Sequence, residues 1–350
     1  MNFLKRVLNY IFIYIFIFAI YVYTIVASIL LIFDLNLFNI FTFLFSFIPF
    51  FIFLFYFRSQ KTNNILKILI YNGLGVGFIG FNISNISLIL SLFFEDTYSI
   101  GLISLFYILL LSIIAFLNAN IIDIKRITLK SEKIIKKTKF IFLSDTHFGS
   151  NSNNHLFKIF KHISTLAYDF ILIGGDLYDS SKFDLNGLKV FRQIKKPILY
   201  VSGNHEFYVS NSIKKLSIIR NYNLNLIDNK SFYFENINII GIGDNQKVKA
   251  KKEIIRKLYS KNKFNIVLIH RPELWNILYE KIDLMLAGHT HNGQIFPFNA
   301  LVRMQFKNVY GLYKKINSYL FISSGAGCWG PKMRLGSKNE IVEVVLNTNN

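Results

Sequence analysis

The chain has 350 residues, more than one ordinary domain needs and enough for two. Its 40 Lys and Arg against 20 Asp and Glu give a formal charge of +20, which favours anionic partners. One cysteine, Cys328, excludes a disulfide framework and a thiolate metal cage within a single chain. It reads as an ordinary residue of a Gly-rich turn, so any bound metal must be held by His, Asp, Asn or Glu.

Charge is distributed unevenly. Residues 1–120 hold five basic side chains (Lys5, Arg6, Arg58, Lys61, Lys67) and three acidic ones (Asp34, Glu95, Asp96), which leaves 35 basic and 17 acidic residues, a formal +18, for the rest. Residues 1–120 therefore read as a transmembrane anchor of about four helices and residues 121–350 as a water-soluble domain. The runs 7–33 and 35–57 carry no charge, and each exceeds the roughly 20 apolar residues that cross a bilayer. A third run, 68–94, is interrupted by Asn72, Asn82 and Asn85, and a fourth covers 100–117. The first run is too long for a cleaved signal peptide and lacks a small-residue cleavage site after it.

The loops set the orientation. Lys5 and Arg6 precede the first helix, Arg58, Lys61 and Lys67 separate the second from the third, and Lys125, Arg126 and Lys130 follow the fourth. Positive residues stay on the cytoplasmic side. The pattern predicts a multi-pass protein of the inner (cytoplasmic) membrane, with both ends and the soluble domain inside. No helix carries a charge at its centre, which argues against an ion or proton path. Gly73 and Gly77 form a small-xxx-small pair that would let another helix approach.

Beyond residue 121 short apolar runs alternate with helix-length segments. Strands are predicted at 139–143, 170–173, 198–201, 237–242, 266–269, 284–287, 320–323 and 341–346, with amphipathic stretches at 155–166, 185–194 and 251–259. This alternation predicts an α/β domain. Five of the strands run directly into metal-competent side chains: Asp145 and His147, then Asp176 and Asp179, then Asn204, His205 and Glu206, then His270, then His289 and His291. Sites in α/β sheets form at the carboxyl ends of strands, so five segments would converge on one place. In extended backbone, residues two apart point the same way, which would aim Asp145 with His147 and His289 with His291 into one site. Gly175, Gly203 and Gly288 would permit close backbone approach. Mixed oxygen and imidazole ligands suit Mn, Fe or Zn. Of the seven histidines only His155 and His162 lie outside these motifs, and both read as surface positions on a helix.

The ordered set Asp145-x-His147, Gly175-Asp176-x-x-Asp179, Gly203-Asn204-His205-Glu206, His270 and Gly288-His289-x-His291 resembles the calcineurin-like metallophosphoesterase superfamily, from about Lys139 to the end of the chain. Gly311-Leu312-Tyr313, Ser324-Gly325-Ala326-Gly327 and Pro331-Lys332-Met333-Arg334-Leu335-Gly336 are similar to its membrane-associated bacterial branch, which usually has Gly where Asn292 stands here. The resemblance implies a four-layer α/β/β/α sandwich and two divalent metal ions. Asp145, His147 and His291 would hold the first, Asn204, His270 and His289 the second, and Asp176 would bridge them. His205, oriented by Asp179, would act on the phosphoryl group as general acid or charge stabiliser; Glu206 receives no catalytic role.

The function this implies is a membrane-anchored phosphoesterase. It would hydrolyse a phosphodiester, phosphomonoester or pyrophosphate bond through attack by a metal-held hydroxide. The membrane anchor favours a lipid-linked substrate such as a UDP-linked acylated sugar, and a soluble nucleotide or nucleic acid diester is the alternative substrate. The basic segment Lys125, Arg126, Lys130, Lys133, Lys136 and Lys137 could meet acidic membrane lipids. No recognised reading module accompanies the charge, which disfavours nucleic acid as a partner. The competing non-enzymatic reading is a metal-binding membrane scaffold or sensor. Oligomeric state is not written in these residues.

Overall fold

A computed structural model describes residues 3–58, 64–180, 185–209 and 211–349. The chain divides into two compact units, Met1–Leu117 with Gly330–Met333, and Asn118–Trp329 with Arg334–Asn350.

In the helical unit α1 (Phe3–Ile17) passes through a π-helical segment, Phe18–Tyr23, into α2 (Thr24–Phe33). Asp34, in the left-handed conformation at φ 55°, ends α2. Asn39 starts α3 (Ile40–Phe45) by accepting the N–H groups of Phe41 and Thr42, an N-cap that satisfies otherwise orphaned donors. α4 (Phe47–Arg58), α5 (Asn64–Leu90) and α6 (Thr97–Asn118) follow. Among the described residues, Leu4–Phe33, Ile40–Arg58, Ile65–Leu90 and Thr97–Asn118 are long and apolar enough to cross a membrane. Lys61, used above for orientation, lies outside the described residues.

The seam between α5 and the π-helical segment explains the glycines. A Cβ on Gly77 would collide with the Ile20 carbonyl oxygen, and one on Gly73 would lie 2.5 Å from the Tyr21 ring. Removing both lets two backbones approach where a larger residue would hold them apart. Between α5 and α6, the Ser87 and Ser104 hydroxyls meet at 2.5 Å.

The second unit holds two six-stranded sheets. Its strands are β1 (Ile122–Lys130), β2 (Thr138–Leu143), β3 (Phe170–Gly174), β4 (Ile198–Val201), β5 (Asn225–Leu226), β6 (Lys230–Phe234), β7 (Ile237–Ile242), β8 (Phe264–Ile269), β9 (Leu284–Ala287), β10 (Gly311–Lys315), β11 (Ser318–Ile322) and β12 (Asn339–Asn347). Its helices are α7 (Asn153–Ser164), α8 (His205–Tyr208), α9 (Ser212–Ile218), α10 (Val248–Leu258), α11 (Trp275–Leu278) and α12 (Phe298–Gln305). The first sheet runs β1-β12-β2-β3-β4-β5 and the second β10-β11-β9-β8-β7-β6. β2, β3, β4 and β5 are mutually parallel, as are β7, β8, β9 and β11.

Alternation within each strand builds three cores. Phe140, Phe142, Phe170 and Leu172 of the first sheet pack with Ile239, Ile266, Leu268 and Leu286 of the second. The opposite faces turn outward. Ile141, Leu143, Ile171 and Ile173 meet Leu156, Ile159 and Ile163 of α7. Ile240, Val267 and Met285 meet Ile255 of α10 and Trp275 of α11. Strands buried on both faces read as continuous apolar runs, which is why they stand out in the sequence. The result is a helix–sheet–sheet–helix sandwich, the α/β architecture implied above.

β1 is the unexpected strand. Lys125, Arg126 and Lys130 of the basic segment lie in this edge strand, and several of the segment's charges also have partners within the unit. Arg126 meets Glu343 at 2.5 Å, the Lys125 ammonium lies 4.5 Å from the centre of the Tyr310 ring, and Lys133 bridges to Asp283 at 2.9 Å.

Candidate metal centre

The loops that leave β2, β3, β4, β8 and β9 meet at one end of the sandwich and are knitted by backbone bonds. Asp145 N–H donates to Gly175 O at 3.0 Å, His147 N–H to Asp176 O at 3.0 Å, and Gly288 N–H to His270 O at 2.9 Å. The paired residues do not reach the site through extended backbone, as their spacing predicts. Asp145 (φ 52°), His147 (φ 44°), Asp176 (φ 51°), His289 (φ 71°) and His291 (φ 49°) are all left-handed. Such a concentration of uncommon conformations in non-glycine residues is held in place by the surrounding bonds and marks a functional site. Close packing does the rest: a Cβ on Gly203 would strike Asp176 Oδ1, and one on Gly288 would strike Asp145 Oδ2.

Asp145, His147 and His291, then Asp176, His270 and His289, and also His147, Asp179 and His205 form groups whose ligand atoms lie within 4.8 Å of one another. Asp145, His147, His291, Asp176 and His270 are buried, and His289 is half-buried. In the first, His147 Nε2 lies 3.0 Å from His291 Nε2, and Asp145 Oδ1 lies 3.5 Å from the latter. In the second, His270 Nε2 lies 3.2 Å from Asp176 Oδ2, 3.1 Å from Asn204 Oδ1 and 3.2 Å from His289 Nδ1. Asp176 Oδ2 is also 3.8 Å from His147 Nε2, so this one carboxylate faces both groups. One proton cannot satisfy several lone pairs that converge on a single point, whereas a divalent cation can. The donor set fits divalent cations.

Electrostatics carry the same signature. Burial works against charge on His270, but the adjoining Asp176 outweighs it and lifts the imidazole to about 10. Burial, reinforced by the charge on His270, pushes His289 down to about 3. Neighbouring imidazoles driven in opposite directions mark a site crowded with groups competing for positive charge.

His205 lies in the third group, with His147 and Asp179. Its side chain is 16% exposed, and its Nε2 lies 3.9 Å from Asp176 Oδ2. Asp179, expected to orient it, belongs to the same group and also reaches His147 and Ser150. The carboxylate lies 3.2 Å from His147 Nδ1 and accepts from Ser150 N–H at 2.8 Å and Ser150 Oγ at 2.5 Å.

Three residues have a part that the sequence did not reveal. Glu206, fully buried, accepts N–H groups from Leu177 (2.6 Å), Gly203 (2.7 Å), Asp176 (3.1 Å) and Tyr178 (3.3 Å). It thereby clamps the β3 and β4 loops together. Burial, with the charge of Asp176, lifts its carboxyl to about 7. Arg334, also fully buried, donates to His291 O (3.1 Å), Ser324 O (2.7 Å) and Gly327 O (2.6 Å), fixing the turn that carries His291. His155 was expected on the surface; it is 4% exposed, with Nε2 2.6 Å from Ala326 O. That face of α7 packs on the sheet, so the polar residue comes inside and finds a carbonyl. Asn292 takes φ 51°, ψ 33°, a left-handed conformation that Asn tolerates better than most non-glycine residues.

Residues 138–293 match the family model described as calcineurin-like phosphoesterase. The chain carries a calcineurin-like phosphoesterase domain. The chain is similar to an uncharacterized metallophosphoesterase of Helicobacter pylori, 34% identical over 235 residues that cover 62% of each chain. It is also similar to one of Campylobacter jejuni, 33% identical over 239 residues, 63% of this chain and 62% of that one. A Bos taurus transmembrane protein with metallophosphoesterase domain is 27% identical over 238 residues, 59% of this chain and 52% of that one. The match thus spans about three fifths of the length of the two bacterial relatives. The phosphoesterase domain model reaches from β2 through the loop that bears both His289 and His291.

Proposed function

We propose that the protein is a membrane-anchored phosphoesterase that depends on two divalent cations. The observation that carries this is the pair of metal-competent groups, with Asp176 of one facing His147 of the other, built from the ends of separate strands within a calcineurin-like phosphoesterase domain. Asp145, His147 and His291 would hold one ion, Asn204, His270 and His289 the other, with Asp176 between them. When bound, such ions polarise the phosphoryl oxygens and activate water.

The chain's own residues supply the remainder. Asn204 contributes a neutral oxygen, which limits negative charge opposite an anionic substrate. Asp176 Oδ1 accepts the His205 N–H at 2.9 Å and so fixes the start of α8 beside the site. His205 Nε2, partly exposed, is the group free to pass a proton to a departing oxygen. Burial lowers its pKa, so the imidazole releases its proton more readily but carries it over a more acidic pH range. The four apolar helices favour a substrate that resides in lipid, a phosphodiester or pyrophosphate carrying a hydrocarbon chain, hydrolysed at the cytoplasmic face.

The test is hydrolysis of paired chromogenic phosphomonoester and phosphodiester substrates by purified protein with added Mn²⁺. Asp176→Asn should lower turnover by roughly 10³-fold or more and reduce metal content at both positions. Metal-loaded protein that turns over no ester, lipid pyrophosphates included, would move the assignment to a metal-binding scaffold.

A further inference from the structure

The mouth of the site is lined by apolar side chains that water-soluble domains ordinarily cover. Trp329 is 53% exposed and its ring centre lies 5.7 Å from that of His205; Tyr208, 71% exposed, lies 5.4 Å from the same ring. Trp329 is held there by design of the backbone. The Gln294 amide donates to Trp329 O at 3.0 Å and accepts Trp329 N–H at 2.9 Å, a two-point clamp from the turn that follows His291. On the other flank Phe306 places its ring 5.5 Å from His289.

Phe306 also ends α12, an amphipathic helix with no buried residue. Its Leu301 is 55% and Met304 84% exposed, three positions apart and so on one face. The helix is seated against the metal-site turn, since a Cβ on Gly293 would fall 2.4 Å from the Asn299 backbone if it were present, closer than atoms pack. Exposed Tyr208 and Trp329 thus adjoin the site at His205, and α12 is joined to it through half-buried Phe306 at His289. Isolated exposed apolar residues need no explanation; a set collected around a polar centre marks a ligand-binding surface. Polar centre and apolar rim together describe an amphiphile. The +18 charge of this half of the chain suits its anionic head.

We infer that Tyr208, Trp329 and the Leu301–Met304 face of α12 form a subsite for the hydrocarbon chain of an amphiphilic phosphoester. The inference rests on the phosphoesterase reading of the site and adds where the substrate's tail lies. Trp329 supplies its own probe, because the second tryptophan, Trp275, is 4% exposed and bonded to Ser318 Oγ.

The experiment uses the full metal-loaded chain in nanodiscs, titrated with hexylphosphonate and methylphosphonate, which no phosphoesterase can hydrolyse. Hexylphosphonate should shift Trp329 emission to the blue and bind at least roughly tenfold tighter than the methyl compound. In Leu301→Ser/Met304→Ser that preference should fall to within about twofold. Equal affinity for the two compounds overturns the inference, and so does a preference that survives in the double variant, which would reflect partition into lipid. Chain-length preference without hydrolysis of any ester would sink the phosphoesterase reading and leave the subsite standing. Hydrolysis without preference would do the reverse.

Discussion

The two units bury polar groups under different rules. In the helical unit the buried polar side chains among the described residues are serines, such as Ser28, Ser87, Ser104 and Ser112. Ser28 and Ser104 donate to carbonyls one turn back, at 2.9 and 2.6 Å, so these hydroxyls lean on their own helix. The phosphoesterase unit instead buries Asp145, Asp176, Glu206, His270 and Arg334. It can do so because its loops, unlike a helix interior, have unspent backbone N–H and C=O groups to offer. Glycine serves both: Gly77 brings helix to helix, whereas Gly203 brings backbone to a carboxylate.

That contrast can be broken at graded positions. His205→Ala should lower turnover by about 10²–10³-fold, because proton transfer is lost, while metal content stays at the wild-type level. Metal analysis alongside kcat checks this, and loss of metal would mean that His205 is a ligand. Glu206→Ala leaves four buried N–H groups without their acceptor and should cost about 3 kcal/mol or more in the phosphoesterase unit. Both tryptophans lie in that unit, so denaturant unfolding followed by tryptophan fluorescence reads it selectively. Gly77→Leu should cost the helical unit about 1–3 kcal/mol by overpacking the seam. Proteolysis of the helices should then rise while the tryptophan-detected transition stays where it was; a shift in the latter would contradict the division into units. At the bottom of the scale, Lys338→Ala removes an exposed pair with Asp123 at 2.9 Å and should change stability by less than about 0.5 kcal/mol. A larger effect on the denaturant midpoint would show that this pair carries more than a surface contact.

The sequence makes some of this legible for a physical reason. Strands buried on both faces, such as β2, β3, β8 and β9, must be apolar at every position, and the residues just after them are free to be chemical. The positions of Asp145, Asp176, His270 and His289 follow from that rule. Edge strands escape it. β1 alternates Ile and Leu with Lys, Arg and Asp, which reads as a charge cluster, and pairing with β12 is what shows it to be a strand. β6 and β10 are half exposed, and β5 has only two residues. The supporting shell of the site was also unreadable. Glu206 and Arg334 act on backbone groups, which carry no residue type to match, and Arg334 reaches His291 across 43 positions. The left-handed turns were hidden too, since Asp and His carry no local mark for that conformation.

The order of strands has a consequence for how the protein is made. β12 lies between β1 and β2, parallel to one and antiparallel to the other, yet it is the last of the described strands to be synthesised. While the ribosome is still adding it, β2 has an open edge and β1 has no partner in its sheet. Unpaired edges of this kind recruit other chains. Translation that stops before Asn339 therefore yields a product whose helices are complete and whose sheet is sticky. Only a chain that reaches through Asn347 can close the gap, so the fold itself separates chains that include β12 from those that lack it.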